Sequence, residues 1–203
     1  MIRISLCLVV LLSWTASVLG QAADAPDPTL KNYVERKDAS FAWTVKKESQ
    51  LGKTKYAELI MTSQTWRDIK WRHQLFILMP KSVPAENRTA LLMIAGGEWR
   101  DKLADPKNET KLPSEATIFA ATAEKLQMPV AVLLQVPNQP LFGDLYEDEI
   151  ISHTFAQYMK TKDADWPLLL PMVKSAVRSM DTMQAYLKSQ EGQPPVEKFV
   201  VTG

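Results

Sequence analysis

The sequence predicts a three-layer α/β fold, a sheet with helices on both faces. Three observations predict it. An alternating hairpin occupies 54–80, continuous apolar runs lie within 90–94, 129–137 and 196–201, and amphipathic helical stretches separate those runs. Buried strands joined by helical crossovers pack as a parallel sheet covered on both sides. The chain of 203 residues, 46% hydrophobic and 23% charged, suits one domain or slightly more of ordinary globular composition.

The first twenty residues stand apart. MIRISLCLVVLLSWTASVLG carries one base, Arg3, an apolar run from Leu6 to Leu12, and small residues up to Gly20. This is the layout of a secretory signal peptide over 1–20, cleaved after Gly20 or a few residues later. The competing reading is a membrane anchor, but a spanning helix needs about 20 apolar residues, and this run is shorter. An exported protein, periplasmic or secreted, is therefore expected, with no integral membrane segment after cleavage. Cys7, the only cysteine, lies within the run, so the mature chain has no disulfide and no cysteine metal site. The formal charge of +1 falls to zero once Arg3 is removed, which leaves no electrostatic footprint for nucleic acid.

Residues 21–53 are expected to form a leader and an N-terminal helical or extended arm, tacked down by Tyr33, Phe41 and Trp43. The main body runs over 54–203. Strand-like runs at 54–66 and 69–80 meet at a polar turn around Arg67-Asp68. In the second run Trp71, His73, Leu75, Ile77 and Met79 share one face, and Gln74, Phe76 and Leu78 share the other. Ala90 to Ile94 is continuously apolar, as expected of a strand buried on both faces, and Gly96-Gly97 ends it. Ser114 is placed to cap a helix with Ala116, Phe119, Ala123 and Leu126 on one face. A further buried strand follows at 129–137. The next helix carries the stripe Leu169, Leu170, Val173, Val177, Met180 and Leu187, and Gly192 and Pro194-Pro195 forbid its continuation. VEKFVVTG at 196–203 completes the pattern as a third buried strand.

Ligands in such sheets bind beyond the carboxyl ends of the strands. This singles out Gly96, Gly97, Glu98 and Trp99, then Pro137, Asn138 and Gln139, then Gly203. The glycine pair has two readings: a tight turn, or a loop whose backbone N–H groups approach a developing oxyanion. A buried strand closing on glycine is also how a nucleophile elbow, G-x-S-x-G, begins. His73 is expected to be a packed or half-exposed structural residue. His153 follows Asp144, Glu147, Asp148 and Glu149, acids that suit a solvated helix start. Two histidines without cysteine or H-E-x-x-H spacing make no zinc site, and no dinucleotide or Walker loop is present. No cofactor is expected.

YVERKDASFAWTV, LIMTSQTWRDIKWRHQLFILMP, ALLMIAGGEWRD, LLQVPNQPLFGDLYEDEIISHTFAQYM and DWPLLLPMVKSAVRSMDTMQAYL together resemble the PhoPQ-activated pathogenicity-related protein family over nearly all of the chain after residue 30. The resemblance implies an α/β-hydrolase-like fold, export from bacteria and a link to virulence regulation. In that family a strand like FVVTG leads into A-S-K-R-G. On this comparison the chain is the amino-terminal portion of a longer protein, truncated after the strand that precedes the nucleophile elbow. Gly203 matches the elbow's first glycine, Gly96 and Gly97 match the glycine-rich strand end, and Pro137, Asn138 and Gln139 match the second strand-end loop. Two functions stay open. One is a serine hydrolase of a small-molecule or peptide substrate, inactive as this fragment. The other is a non-catalytic secreted binding or surface-interaction protein.

Overall fold

A computed structural model describes residues 29–109, 112 and 116–203. The expected signal peptide over 1–20, the start of the leader and the Ser114 cap lie outside the described residues.

The order of elements is α1 (Thr29–Glu35), β1 (Ala42–Leu51), β2 (Thr54–Trp66), β3 (Ile69–Met79), β4 (Thr89–Ile94), α2 (Ala116–Leu126), β5 (Val130–Leu133), α3 (Glu147–Thr161), α4 (Leu169–Lys188) and β6 (Lys198–Thr202). The strands form one sheet in the order β1-β2-β3-β5-β4-β6. β1, β2 and β3 are an antiparallel meander, β3 pairs antiparallel with β5, and β4 runs parallel to both β5 and β6. The extended part of the arm expected over 21–53 is thus a full strand of this sheet.

Period-two patterning assigns the two faces. Leu75, Ile77 and Met79 of β3 join Ala57, Leu59, Met61, Ala131 and Leu133 in the core under α4. Phe76 and Leu78 point the other way and meet Tyr56, Val130, Val132, Ala120 and Ala123 under α2. The sheet is therefore sandwiched between helices. The three-layer α/β architecture is the one the sequence predicts.

Two strand irregularities turn polar side chains inward. The register steps from Val45↔Leu59 to Lys47↔Glu58, which skips Lys46. It steps again from Thr62↔Arg72 to Gln64↔Trp71, which skips Ser63. A bulged residue has no cross-strand partner and can be re-aimed. Lys46 buries its ammonium against Glu58 at 3.2 Å, with side-chain exposures of 4% and 2%. Ser63 is fully buried and reaches His73.

The structure bears out part of each helix stripe, with Ala116, Phe119 and Ala123 of α2 and Met180 and Leu187 of α4 packed on the core, and corrects the rest. α4 packs on the sheet through Ser175, Ala176, Ser179, Thr182, Met183, Tyr186 and Leu187, while Leu169 and Val173 of the expected stripe are exposed. The small residues on the packed face let the helix approach the strands closely. Their hydroxyls bond internally, Ser175 to the Pro171 carbonyl and Ser179 to the Ala176 carbonyl, so their burial leaves no donor unsatisfied. On α2, Ala116, Ala120 and Ala123 are buried and Leu126 is exposed. β6 also departs from the expected buried strand. It lies at the sheet border, paired only with β4 among the described strands, and Val200 and Val201 are 53% and 49% exposed.

Candidate active site

The carboxyl ends of β4, β5 and β6 converge, and backbone hydrogen bonds lock the loops that leave them. Ala95 N–H donates to the Leu133 carbonyl at 2.8 Å, Gln135 N–H to Gly96 at 3.1 Å and Val136 N–H to Ala95 at 3.2 Å. Further out, Trp99 N–H donates to the Gln139 carbonyl at 3.0 Å, and Glu98 bridges Gln139 in parallel. The first two predicted groups, Gly96 to Trp99 and Pro137 to Gln139, are therefore neighbours along one track. Gly203 lies beside the end of β4, against Ile94, so the structure brings together all three predicted strand ends.

Gly97 adopts φ +121°, a region that favours glycine because it lacks a Cβ. Gly96 has an ordinary φ, and its constraint is space: a Cβ there would lie 3.3 Å from Glu147 Oε1. Both glycines are exposed, and neither N–H donates a hydrogen bond to any described residue. Two backbone donors at the head of β4 are thus left without a partner among the described residues.

The loop after β5 is held by side chains. Gln135 is in the left-handed region at φ 59° and folds its amide over β3. There its Oε1 accepts from Gln74 N–H at 2.8 Å, and its Nε2 donates to Gln74 Oε1 at 3.1 Å. Gln74 Nε2 donates onward to Glu58 at 2.8 Å, so a buried polar string runs from the Lys46 ion pair to the start of the β5 loop. Asn138 accepts from Arg72 N–H at 2.9 Å. Gln139 makes a reciprocal pair with Glu147: its Nε2 donates to Glu147 Oε1 at 2.6 Å, and Glu147 N–H donates to Gln139 Oε1 at 3.0 Å. Glu147 opens α3 as the expected exposed helix start, with φ 43°, and in addition grips the Gln139 side chain.

Charged groups at the rim are mostly spoken for. Glu98 pairs with Arg100 at 2.6 Å, and that bond holds its carboxyl below the ordinary range. Trp99 Nε1 donates to Asp101, which also pairs with Arg72.

Ser63 Oγ and His73 Nε2 are 2.9 Å apart, and Ser63 also contacts Ser175 at 2.8 Å. All three are 0% exposed, so no substrate reaches this hydroxyl–imidazole pair. His73 is the structural histidine expected from the strand pattern, and burial depresses its pKa to about 4. His153 stacks on Phe142 at 4.8 Å, away from any serine partner among the described residues. No group of three or more His, Cys, Asp or Glu among the described residues is placed to hold a metal. No described helix is long and apolar enough to cross a membrane.

Sequence reasoning missed Gln135, Gln74 and Glu147. Glu147 carried no distinguishing signal, since Asp148 and Glu149 follow it with the same chemistry.

Comparison with known proteins gives a relative and several structural neighbours. Autocrine proliferation repressor protein A from Dictyostelium discoideum is 28% identical over 211 residues, covering 98% of this chain and 39% of that protein. This chain thus spans well under half the length of that relative. A putative acetyl xylan esterase from Bacteroides fragilis aligns over 86% of this chain and 44% of its own at 14% identity, with a TM-score of 0.49. A glucuronoyl esterase from Solibacter usitatus aligns over 85% and 50% at 14% identity, with a TM-score of 0.44. The family model for the PhoPQ-activated pathogenicity-related protein matches residues 30–203. The chain belongs to the PhoPQ-activated pathogenicity-related protein family.

Proposed function

We propose that this chain supplies the oxyanion-holding and cleft-lining part of an exported serine hydrolase acting on an ester or amide. The observation that carries the reading is that the Gly96 and Gly97 N–H groups donate to no described residue, at the head of β4 where Gly203 also lies. Fixed backbone donors of this kind stabilise the charge that develops on a carbonyl oxygen under attack. Topology supports it, since an antiparallel start leads into a parallel β5-β4-β6 set in which β6 closes on glycine. In this reading the nucleophilic serine follows Gly203 by two residues. An acid and a histidine further along the longer polypeptide activate it. The substrate is a small molecule or peptide. Export rests on the apolar run of the first twenty residues, and a role in virulence rests on the family's name alone.

Turnover of p-nitrophenyl acetate by a polypeptide carrying these residues and continuing through that serine tests the reading. Hydrolysis that falls on the order of a hundredfold in Gly97→Ala is expected, since misaligning one oxyanion donor has an effect of that size. A folded protein with no turnover would shift the reading to a secreted binding protein.

A further inference from the structure

We infer that Glu147 is a positioning residue that holds the Gly96–Trp99 loop in its donor-presenting shape. The inference rests on the hydrolase reading for its purpose, but its physical content stands on geometry.

Three contacts meet at this residue. Its backbone N–H and its carboxylate both grip the Gln139 side chain. The backbone carbonyl of Gln139 in turn accepts from Trp99 N–H. The same Oε1 limits the space beside Gly96, where an added Cβ would lie 3.3 Å from it. Glu147 therefore ties the start of α3 to the β5 loop and, through it, to both ends of the β4 loop.

Its backbone conformation supports this role. A non-glycine residue at φ 43° is uncommon and persists where its surroundings fix it. Here the two bonds to Gln139 do so, and the carboxylate at a helix start is favoured by the α3 dipole. Asp148 and Glu149 share the dipole advantage without the grip on Gln139. Glu149 instead accepts from Tyr146 N–H at 3.3 Å. Glu147 thus differs from its acidic neighbours in what it holds.

Amide exchange on the full chain tests the inference, with the Trp99 N–H rate taken relative to that of Ala131 in β5, so that any global loss of stability cancels. Glu147→Ala is expected to raise this ratio at least tenfold and to shift the Gly96 and Gly97 amide resonances. Glu147→Gln keeps an oxygen for Gln139 Nε2 and is expected to stay within about twofold, as is Asp148→Asn. An unchanged ratio in Glu147→Ala, or an equal rise in Glu147→Gln, overturns the inference. Because this readout needs no turnover, its failure is distinct from failure of the hydrolase reading. If both hold, Glu147→Ala slows p-nitrophenyl acetate turnover on the order of tenfold to a hundredfold while Glu147→Gln does not, since small misplacements of positioned groups have effects of that size.

Discussion

Gly203 comes so close to Ile94 that a Cβ placed on it would lie 2.9 Å from the Ile94 carbonyl oxygen. Real Cβ atoms do not approach backbone that closely, so glycine is what allows β6 to finish flush with β4. Gly203→Ala is expected to lift the end of β6 away. Amide exchange at Thr202 and Met93, which face each other across the two strands, should rise severalfold, with Ala131 unchanged. Unaltered exchange at both positions would mean that the close approach has no structural consequence.

Gly96 and Glu147 should be energetically coupled. Gly96→Ala alone forces a Cβ against a carboxylate tied to Gln139, and overpacking of this kind costs about 1–2 kcal/mol. In a Glu147→Ala background the added methyl meets open space, and the cost should drop below about 0.5 kcal/mol. Urea unfolding of the four proteins in this cycle measures the difference.

His73 makes stability fall in acid. Burial is the main cause of its pKa of about 4, against an ordinary 6.5. Above pH 6.5 the imidazole is neutral in both folded and unfolded chains, and its contribution to stability is complete. As pH drops below 6.5 the unfolded chain takes up a proton that the folded protein refuses, and the loss grows until about pH 4. It should total about 3 kcal/mol. Denaturant melts at pH 7.5 and pH 4 should show this drop, and His73→Gln should lack that portion of it.

The Lys46–Glu58 pair behaves as a buried unit. Glu58→Gln takes one partner charge from a buried ammonium that also donates to the Leu103 carbonyl, and should lower stability. Lys46→Met should cost less in the Glu58→Gln background than alone, because the attraction within the pair is already gone and the introduced amide oxygen can still accept from Gln74 Nε2. Thermal unfolding of the single and double variants checks both statements.

What the sequence made legible follows from what periodicity reports. In β3 the alternation of Leu75, Ile77 and Met79 with Phe76 and Leu78 sorted side chains correctly, because a strand between two helical layers offers only two faces. The strand ends followed from where apolar runs met glycine or proline, so the positions of Gly96, Gly97 and Pro137 were readable. α4 was read only in part, with Met180 and Leu187 on the core as expected, because a 3.6-residue pattern marks a stripe without saying which neighbour takes it. The sheet chose Ser175, Ser179 and Met183, and Leu169 and Val173 face outward. Ser63–His73 and Lys46–Glu58 depend on single-residue register slips. Gln139–Glu147 depends on the path of a loop. No local pattern encodes either.

The proposed oxyanion role of the β4 loop meets its sharpest test in a fluorophosphonate adduct, mapped by mass spectrometry on a polypeptide continuing past Gly203. Modification is expected at one serine, the second residue after Gly203, with a labelling rate reduced on the order of a hundredfold by Gly97→Ala. A folded protein left unmodified at that serine, or labelled equally fast with and without the Gly97 substitution, would refute that role.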